Sequence, residues 1–412
     1  MPEIHQLQFG ITVIYFYFCA VIKRVYDIKI DKMLKQFPVV CLLGPRQSGK
    51  TTAAKLYAKK SKKPVLYLDM ESQSDLRKIE DPELFLKQHT DHLVIIDEVQ
   101  FKPELFPLLR HLVDEYRKPG RFLLLGSASP ELVKNASESL AGRVYSIDTF
   151  PFNISEIKPL KNTLSKHWFR GGFPDAWLAR TDFAWLHWMD GYARTFIERD
   201  MNKLFGVTFS SQLMYKIWRM IAHQQGGIWN AQSFAKGLEV SPTTINRYID
   251  YLEGAFMLRK LQPFHSNTRK RLLKTPKIYF RDSGLLHYLM DIPNARSLQY
   301  HPIIGHSWEG YVVEQICELL HQRILPFYYR THDGSEMDLI LVKGLSAVAC
   351  IEIKYTLSPM ISKGLRESMK DLNCKNNFII TPSPTDYYKA EKNLIICGLQ
   401  PFISKVLPKL LK

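Results

Sequence analysis

Gly44, Pro45, Arg46, Gln47, Ser48, Gly49, Lys50 and Thr51 fill the pattern G-x-x-x-x-G-K-S/T in eight consecutive positions, with Thr52 directly after. The residue types suit one task, which is holding a phosphate chain. Glycine lets backbone N–H groups curl around phosphate oxygens, and a helix N-terminus behind them adds a favourable dipole. Lys50 is placed to reach the β- and γ-phosphates, and the Thr51 hydroxyl to sit on Mg²⁺. Asp97-Glu98 supplies the complementary acids. Asp97 is expected to hold the Mg²⁺ shell, and Glu98 to orient and deprotonate an attacking water. A carboxylate beside the metal-binding acid argues for hydrolysis over simple nucleotide binding. Ser127 is expected to sense the γ-phosphate, its other reading being a cap for the next helix. Arg143 could add positive charge to the transition state or pair with a carboxylate.

These groups need strands to aim them. Pro38–Leu43, Pro64–Asp69, His92–Ile96 and Arg121–Leu125 are apolar runs without strict alternation. Such runs suit strands buried on both faces of a parallel sheet. Stretches compatible with helix lie between them, at 52–59 and 104–116, so the first part of the chain reads as an α/β domain. The phosphate loop then falls between the first strand and the first helix. Ser127 is expected on a strand inserted between the two strands that carry the phosphate-site residues.

A second constellation lies near the other end. Asp338 opens an apolar run, Gly344 marks a turn, and Glu352-Ile353-Lys354 lies on the returning strand. Residues two apart on a strand share a face, so Glu352 and Lys354 are neighbours. Asp338 and Glu352 could bind Mg²⁺ while Lys354 polarises a water, and Glu309 offers a further acid from a helix-like stretch. The pattern resembles the PD-(D/E)-x-K arrangement of restriction-endonuclease folds. That fold does not by itself establish activity, and an inert regulatory domain is the rival.

The segment between reads as helical. Apolar residues from Leu186 to Leu204 recur at spacings of three and four, one face of an amphipathic helix. Asn230 and Ser241 are placed to cap two short helices, the second starting at Pro242. This helix–turn–helix pattern leaves Thr243, Thr244, Asn246 and Arg247 pointing outward, types that read base edges or hold phosphates. Eight basic and no acidic residues follow between Gly254 and Arg281, among them Arg269, Lys270 and Arg271. The expectation is a winged-helix hairpin with a basic wing that contacts DNA, a protein-interaction or lid module being the alternative.

Bulk properties are consistent with this. The chain has 412 residues, 46% hydrophobic and 23% charged, with a formal net charge of +16. The length allows two or three domains, and the charge suits a polyanionic partner or simple solubility. Six scattered cysteines with no C-x-x-C spacing argue for reduced thiols, against a disulfide frame or zinc site. Phe9–Ile22 is apolar but short for a membrane span, and no Lys or Arg precedes it. A packed helix or an upstream start-codon extension is expected there over export, with an anchor as the lesser alternative.

The order Gly-Pro-Arg-Gln-Ser-Gly-Lys-Thr, Asp-Glu-Val-Gln, Gly-Ser-Ala-Ser and Leu-Ala-Gly-Arg resembles a prokaryotic family of AAA-superfamily ATPases with a C-terminal domain of unknown function. Ile197-Glu198-Arg199-Asp200 and Lys277–Leu285 extend the resemblance over nearly all of the chain after about residue 23. It implies ATP and Mg²⁺ binding and no defined cellular role. The expected organisation is a lead-in over 1–32, an AAA-type P-loop domain with a parallel sheet over 33–160, and a helical connector over 161–225. A winged-helix-like segment follows over 226–282, then a restriction-endonuclease-like α/β domain over 283–412. The expected activity is ATP hydrolysis coupled to the later domains, acting on DNA in the cytoplasm. The alternatives are an ATP-gated nuclease and a nucleotide-gated binding switch without catalysis. Protein partners and oligomerisation are open, and membrane association is not expected.

Overall fold

The structure is a computed structural model. It describes residues 22–127, 138–158, 162–205, 210–265, 274–321, 323–383 and 385–411. The chain forms two compact units. The first holds the described residues up to Phe152, with 201–205 and 254–256. The second holds 153–200, 210–253 and the described residues from Met257 onward.

In the first unit five parallel strands form one sheet: β1 (Val39–Gly44), β2 (Val65–Asp69), β3 (Leu93–Asp97), β4 (Phe122–Ser127) and β5 (Val144–Asp148). Their order is β2-β3-β4-β1-β5, so β4 is inserted between β1 and β3 as expected. Alternate residues of β1 feed opposite cores. Val39, Cys41 and Leu43 join one with Leu109 and Leu112 of helix Leu105–Glu115. Val40 and Leu42 join the other with Ala53 and Ala54 of helix Lys50–Lys60. Two-sided burial is why β1, β3 and β4 read as unbroken apolar runs. Helix Asp27–Leu34 packs Ile30 and Leu34 into the second core, so this unit starts before residue 33.

The second unit gathers the three later segments that the sequence separated. Helices Thr163–Arg170, Asp182–Thr195, Ser211–His223 and Ser283–Leu289 share an aromatic core in which Trp185 and Trp218 are fully buried. The predicted amphipathic helix widens into a π-turn at Phe196–Asp200 before Met201–Phe205. Asn230 caps Ala231–Leu238, and the Ser241 hydroxyl oxygen accepts from the Thr244 N–H at the start of Pro242–Gly254. An antiparallel pair follows, β6 (Leu258–Leu261) and β7 (Lys277–Phe280), with Ile228 bridged to Lys277. The motif from Lys277 onward has a structural reason. Asp282 caps the next helix through the Leu285 N–H, and a Cβ on Gly284 would lie 2.1 Å from the Arg170 carbonyl oxygen.

The rest of this unit runs helix Ile304–Cys317, β8 (Ile324–Arg330), β9 (Glu336–Lys343), β10 (Ser346–Ile353), helix Lys363–Leu372 and β11 (Asn377–Thr381). β8, β9 and β10 form an antiparallel meander, and β11 pairs parallel to β10. β12 (Tyr387–Glu391) and β13 (Leu394–Gly398) extend the sheet, giving the order β12-β13-β11-β10-β9-β8. Gly344 makes the β9–β10 turn at φ 65, a left-handed conformation that glycine takes without strain.

Candidate functional site

The carboxyl ends of β1, β3 and β4 place Gly44, Asp97 and Ser127 at one edge of the first sheet, where a parallel sheet binds ligands. Gly44 and Ser127 are direct partners in the register. The loop leaving β1 curls through left-handed backbone at Gln47 (φ 60) and Gly49 (φ 95) and then enters helix Lys50–Lys60. Lys50 is buried, and its Nζ donates to the loop's own carbonyl oxygens, Gly44 at 2.9 Å and Pro45 at 2.7 Å. Burial lowers its pKa to about 8, against the pull of Glu98 and Asp97. A desolvated ammonium held by two loop carbonyls is a group ready to receive anionic oxygens. The buried hydroxyls of Ser48 and Ser127 have no hydrogen-bond partner among the described residues. Orphaned donors at this edge fit a phosphate chain that would accept from them.

The metal side is equally ordered. The Thr51 hydroxyl donates to Asp97 Oδ2 at 2.7 Å, and the Tyr67 hydroxyl donates to the same oxygen. Asp97 Oδ1 accepts from the Glu98 N–H at 2.9 Å. Glu98 itself sits at φ 52 and is held by the Gln100 side-chain amide. Burial pushes its carboxyl above the usual range, although Lys50 and Arg46 oppose this. Arg46 lies 3.1 Å from Glu71 and 4.0 Å from Glu98. Thr52 follows Thr51 in the first turn of the helix.

Arg143 is a correction. It lies directly before β5, and its carbonyl accepts from the Val39 N–H at the opposite end of β1. A six-residue strand separates it from Gly44, roughly 17 Å at ~3.3 Å per residue. Its guanidinium instead forms a two-point ion pair with Asp114, at 2.5 and 2.8 Å. It cannot serve the phosphate site of its own chain.

Arg24 is the residue sequence reasoning missed, because it falls in the stretch taken as a lead-in. It is 6% exposed. Its guanidinium donates to the carbonyl oxygens of Ser48 (2.8 Å), Phe150 (2.5 Å) and Pro151 (3.0 Å). It also stacks on the rings of Tyr26 and Phe152. A Cβ on Gly49 would lie 3.2 Å from it, so Arg24 braces the phosphate loop from behind. The available signal was a basic residue just ahead of an amphipathic helix leading into β1.

The second constellation also assembles, with an addition. Asp338 on β9, Glu352 on β10 and Glu309 on helix Ile304–Cys317 are each less than 10% exposed. Lys354 Nζ lies 2.6 Å from Glu352 Oε1. The addition is Lys277, whose Nζ sits 2.9 Å from Glu309, 2.6 Å from Glu336 and 3.7 Å from Asp338. Burial and the charges of Glu309 and Glu352 hold the Asp338 carboxyl well above its ordinary pKa. Among the described residues no group of three or more His, Cys, Asp or Glu is placed to hold a metal ion. The Mg²⁺ expected between Asp338 and Glu352 therefore does not fit this arrangement.

The basic stretch at 254–281 is in part internal. Arg259 and Arg281 both bind Glu314, at 2.5 Å, behind the surface. Lys260 pairs with Asp250 and Glu253, and Lys277 is buried among acids. Half of the eight basic residues are spent inside the fold, while Lys274 is exposed. Arg269, Lys270 and Arg271 lie outside the described residues. On helix Pro242–Gly254, Thr243, Asn246 and Arg247 are exposed as expected. Thr244 is half-buried with its hydroxyl 2.9 Å from that of Ser241, and Asn246 accepts from Trp229 at 2.9 Å. No described helix is long and apolar enough to cross a membrane.

Three family models match the chain: an AAA domain over 36–158, and domains of unknown function DUF8612 over 161–296 and DUF4143 over 304–400. Two curated relatives are "Uncharacterized protein Rv2008c" of Mycobacterium tuberculosis and "Uncharacterized protein Mb2031c" of Mycobacterium bovis. Each is 40% identical over 354 residues, covering 86% of this chain and 78% of the relative. Among solved structures, a Walker-type ATPase of Pyrococcus abyssi aligns at 14% identity and TM-score 0.46, over 66% of this chain and 96% of its own. The RuvB Holliday junction branch migration motor of Thermotoga maritima aligns at 18% identity and TM-score 0.29, over 58% and 90%. With its phosphate loop, inserted β4 and AAA-domain match, the first unit is an AAA-type P-loop domain, and the chain belongs to the family of the two mycobacterial proteins.

Proposed function

We propose that this protein binds and hydrolyses ATP with Mg²⁺, and that turnover is coupled to its second unit acting on DNA. The observation that carries the reading is the Thr51–Asp97 hydrogen bond with Glu98 directly beside it. Bound Mg²⁺ would neutralise charge developing on the phosphates. Thr51 and Asp97 would hold it, and Lys50 would leave the Gly44 and Pro45 carbonyls for the phosphate oxygens. Glu98, with its raised proton affinity, would accept the proton of the attacking water. Ser127, at the end of β4, would offer its free hydroxyl to the γ-phosphate. Phosphate release by the full chain tests this, with and without DNA. Lys50→Ala should abolish it, and Glu98→Gln should slow it by roughly 10²–10⁴ while nucleotide still binds. Release unchanged in Glu98→Gln would overturn the assignment of the base.

A second reading is favoured by the order helix, β8, β9, β10, helix, β11. An antiparallel meander followed by a helix and a parallel strand, with Glu309, Asp338, Glu352 and Lys354 together, supports a restriction-endonuclease-like domain. Helices 231–238 and 242–254 with the β6–β7 hairpin support a winged-helix module whose exposed Thr243, Asn246 and Arg247 face a nucleic-acid or protein partner. Mg²⁺-dependent DNA cleavage lost in Lys354→Ala is the test. No cleavage by the wild type across DNA forms would leave this domain a regulatory or partner-binding one.

A further inference from the structure

We propose that Lys277 is a built-in cation that holds the place of a divalent metal ion in the Glu309–Glu336–Asp338–Glu352 cluster, so that the site takes a metal only when this ammonium leaves. The inference rests on the nuclease-like reading of the cluster and explains why the metal expected there does not fit.

The geometry is specific. Lys277 opens β7, and its side chain is 4% exposed. One nitrogen meets three carboxylates from two elements: Glu309 from the helix, and Glu336 and Asp338 from β9. A point charge touching several carboxylate oxygens in a buried site is what a small divalent ion would be. Tyr279 and His306 complete the surroundings, the tyrosine hydroxyl donating to Glu309 at 2.5 Å and the imidazole lying 3.6 Å from it. Asp338 is held in orientation by the Ile353 N–H at 2.9 Å.

The independent sign of a missing ligand is Glu352. It is 8% exposed, one oxygen binds Lys354, and the other is buried with no hydrogen-bond partner among the described residues. Its charge acts on Asp338, and those of Glu309 and Glu336 act on it, so it belongs to the same cluster. A buried carboxylate oxygen without a donor is costly. An ion shared by Asp338 and Glu352 would satisfy it, and the ammonium of Lys277, placed towards Glu309 and Glu336, does not.

The test uses the nucleotide-free full chain and Mn²⁺, with binding followed by electron paramagnetic resonance. The expected result is that Lys277→Ala binds one more equivalent of Mn²⁺ than the wild type, or binds it at least tenfold more tightly. Adding Asp338→Asn should remove the gain. Lys277→Arg, which keeps the charge, should stay closed. Because Lys277→Ala strips a buried counter-charge, Lys277→Ala/Glu336→Gln serves as a charge-balanced second variant, with circular dichroism as the fold check. Equal Mn²⁺ binding in the wild type and these variants, whether tight or absent, overturns the proposal. Absence of DNA cleavage does not, since cation binding is read without DNA and so separates this inference from the nuclease reading.

Discussion

At the residue scale, the phosphate site depends on side chains that local sequence does not connect. Arg24 is the sharpest case, because it ties the loop carbonyl of Ser48 to the carbonyls of Phe150 and Pro151. Arg24→Ala is expected to weaken ATP binding by about tenfold, near 1.4 kcal/mol. Arg24→Lys should recover only part of this, since an ammonium cannot reproduce the planar fork. Fluorescent-nucleotide titration reads both, and equal affinity in Arg24→Ala and wild type would remove Arg24 from the site. His287 is a second residue with a defined consequence. It is fully buried between the Phe169 carbonyl and the Ser307 hydroxyl, each at 2.7 Å, and burial lowers its pKa to about 4. The fold therefore favours neutral imidazole. That stability is complete above pH 6.5 and is lost as pH falls towards 4, by roughly 3 kcal/mol. Asp282 opposes it, since burial raises its pKa to about 6 and acidification through that range favours the folded state. In Asp282→Asn the loss between pH 6.5 and 4 should stand out in urea unfolding, and adding His287→Gln should flatten it.

At the element scale, the β6–β7 hairpin shows how charge in a sequence can be internal wiring. Glu314 is 2% exposed and answers both Arg259 and Arg281, which anchors the hairpin to helix Ile304–Cys317. Removing one member of a buried ionic group leaves the others unpaired. Glu314→Ala should destabilise the second unit by about 3 kcal/mol in denaturant unfolding followed by tryptophan fluorescence. An effect below about 0.5 kcal/mol would mean these guanidiniums find water instead.

At the scale of the whole molecule, the eight basic residues of 254–281 overstate the charge that this stretch offers a polyanion, since four of them are paired with acids. If DNA binds the second unit, exposed Arg247 should count and paired Arg259 should not. Arg247→Ala is expected to lower the slope of log affinity against log salt by about one. Arg259→Met, which removes an internally paired cation and leaves Glu314 with Arg281, should leave the slope unchanged. Both are measured by fluorescence anisotropy with duplex DNA at several salt concentrations. A salt slope equal in Arg247→Ala and wild type would exclude that helix as the contact.

The sequence by itself determined the elements whose signals are local. Continuous apolar runs gave four of the first sheet's five strands, because burial leaves little polar alternation, while the half-exposed edge strand β5 carried no such run. The phosphate loop, Asp97-Glu98 and the strand carrying Ser127 were legible because loop chemistry at a strand end needs particular residues at fixed spacing. The β9–β10 hairpin was legible from Gly344 and strand alternation. Tertiary structure alone decided which charges meet. Arg143 turned to Asp114 at the far end of β1, Arg24 came from outside the expected domain to brace the loop, and Lys277 entered a cluster assembled from a helix and two strands. Ion pairing acts over a few ångströms in space whatever the separation along the chain, so a list of charged residues cannot say which are spent inside the fold and which remain for a partner.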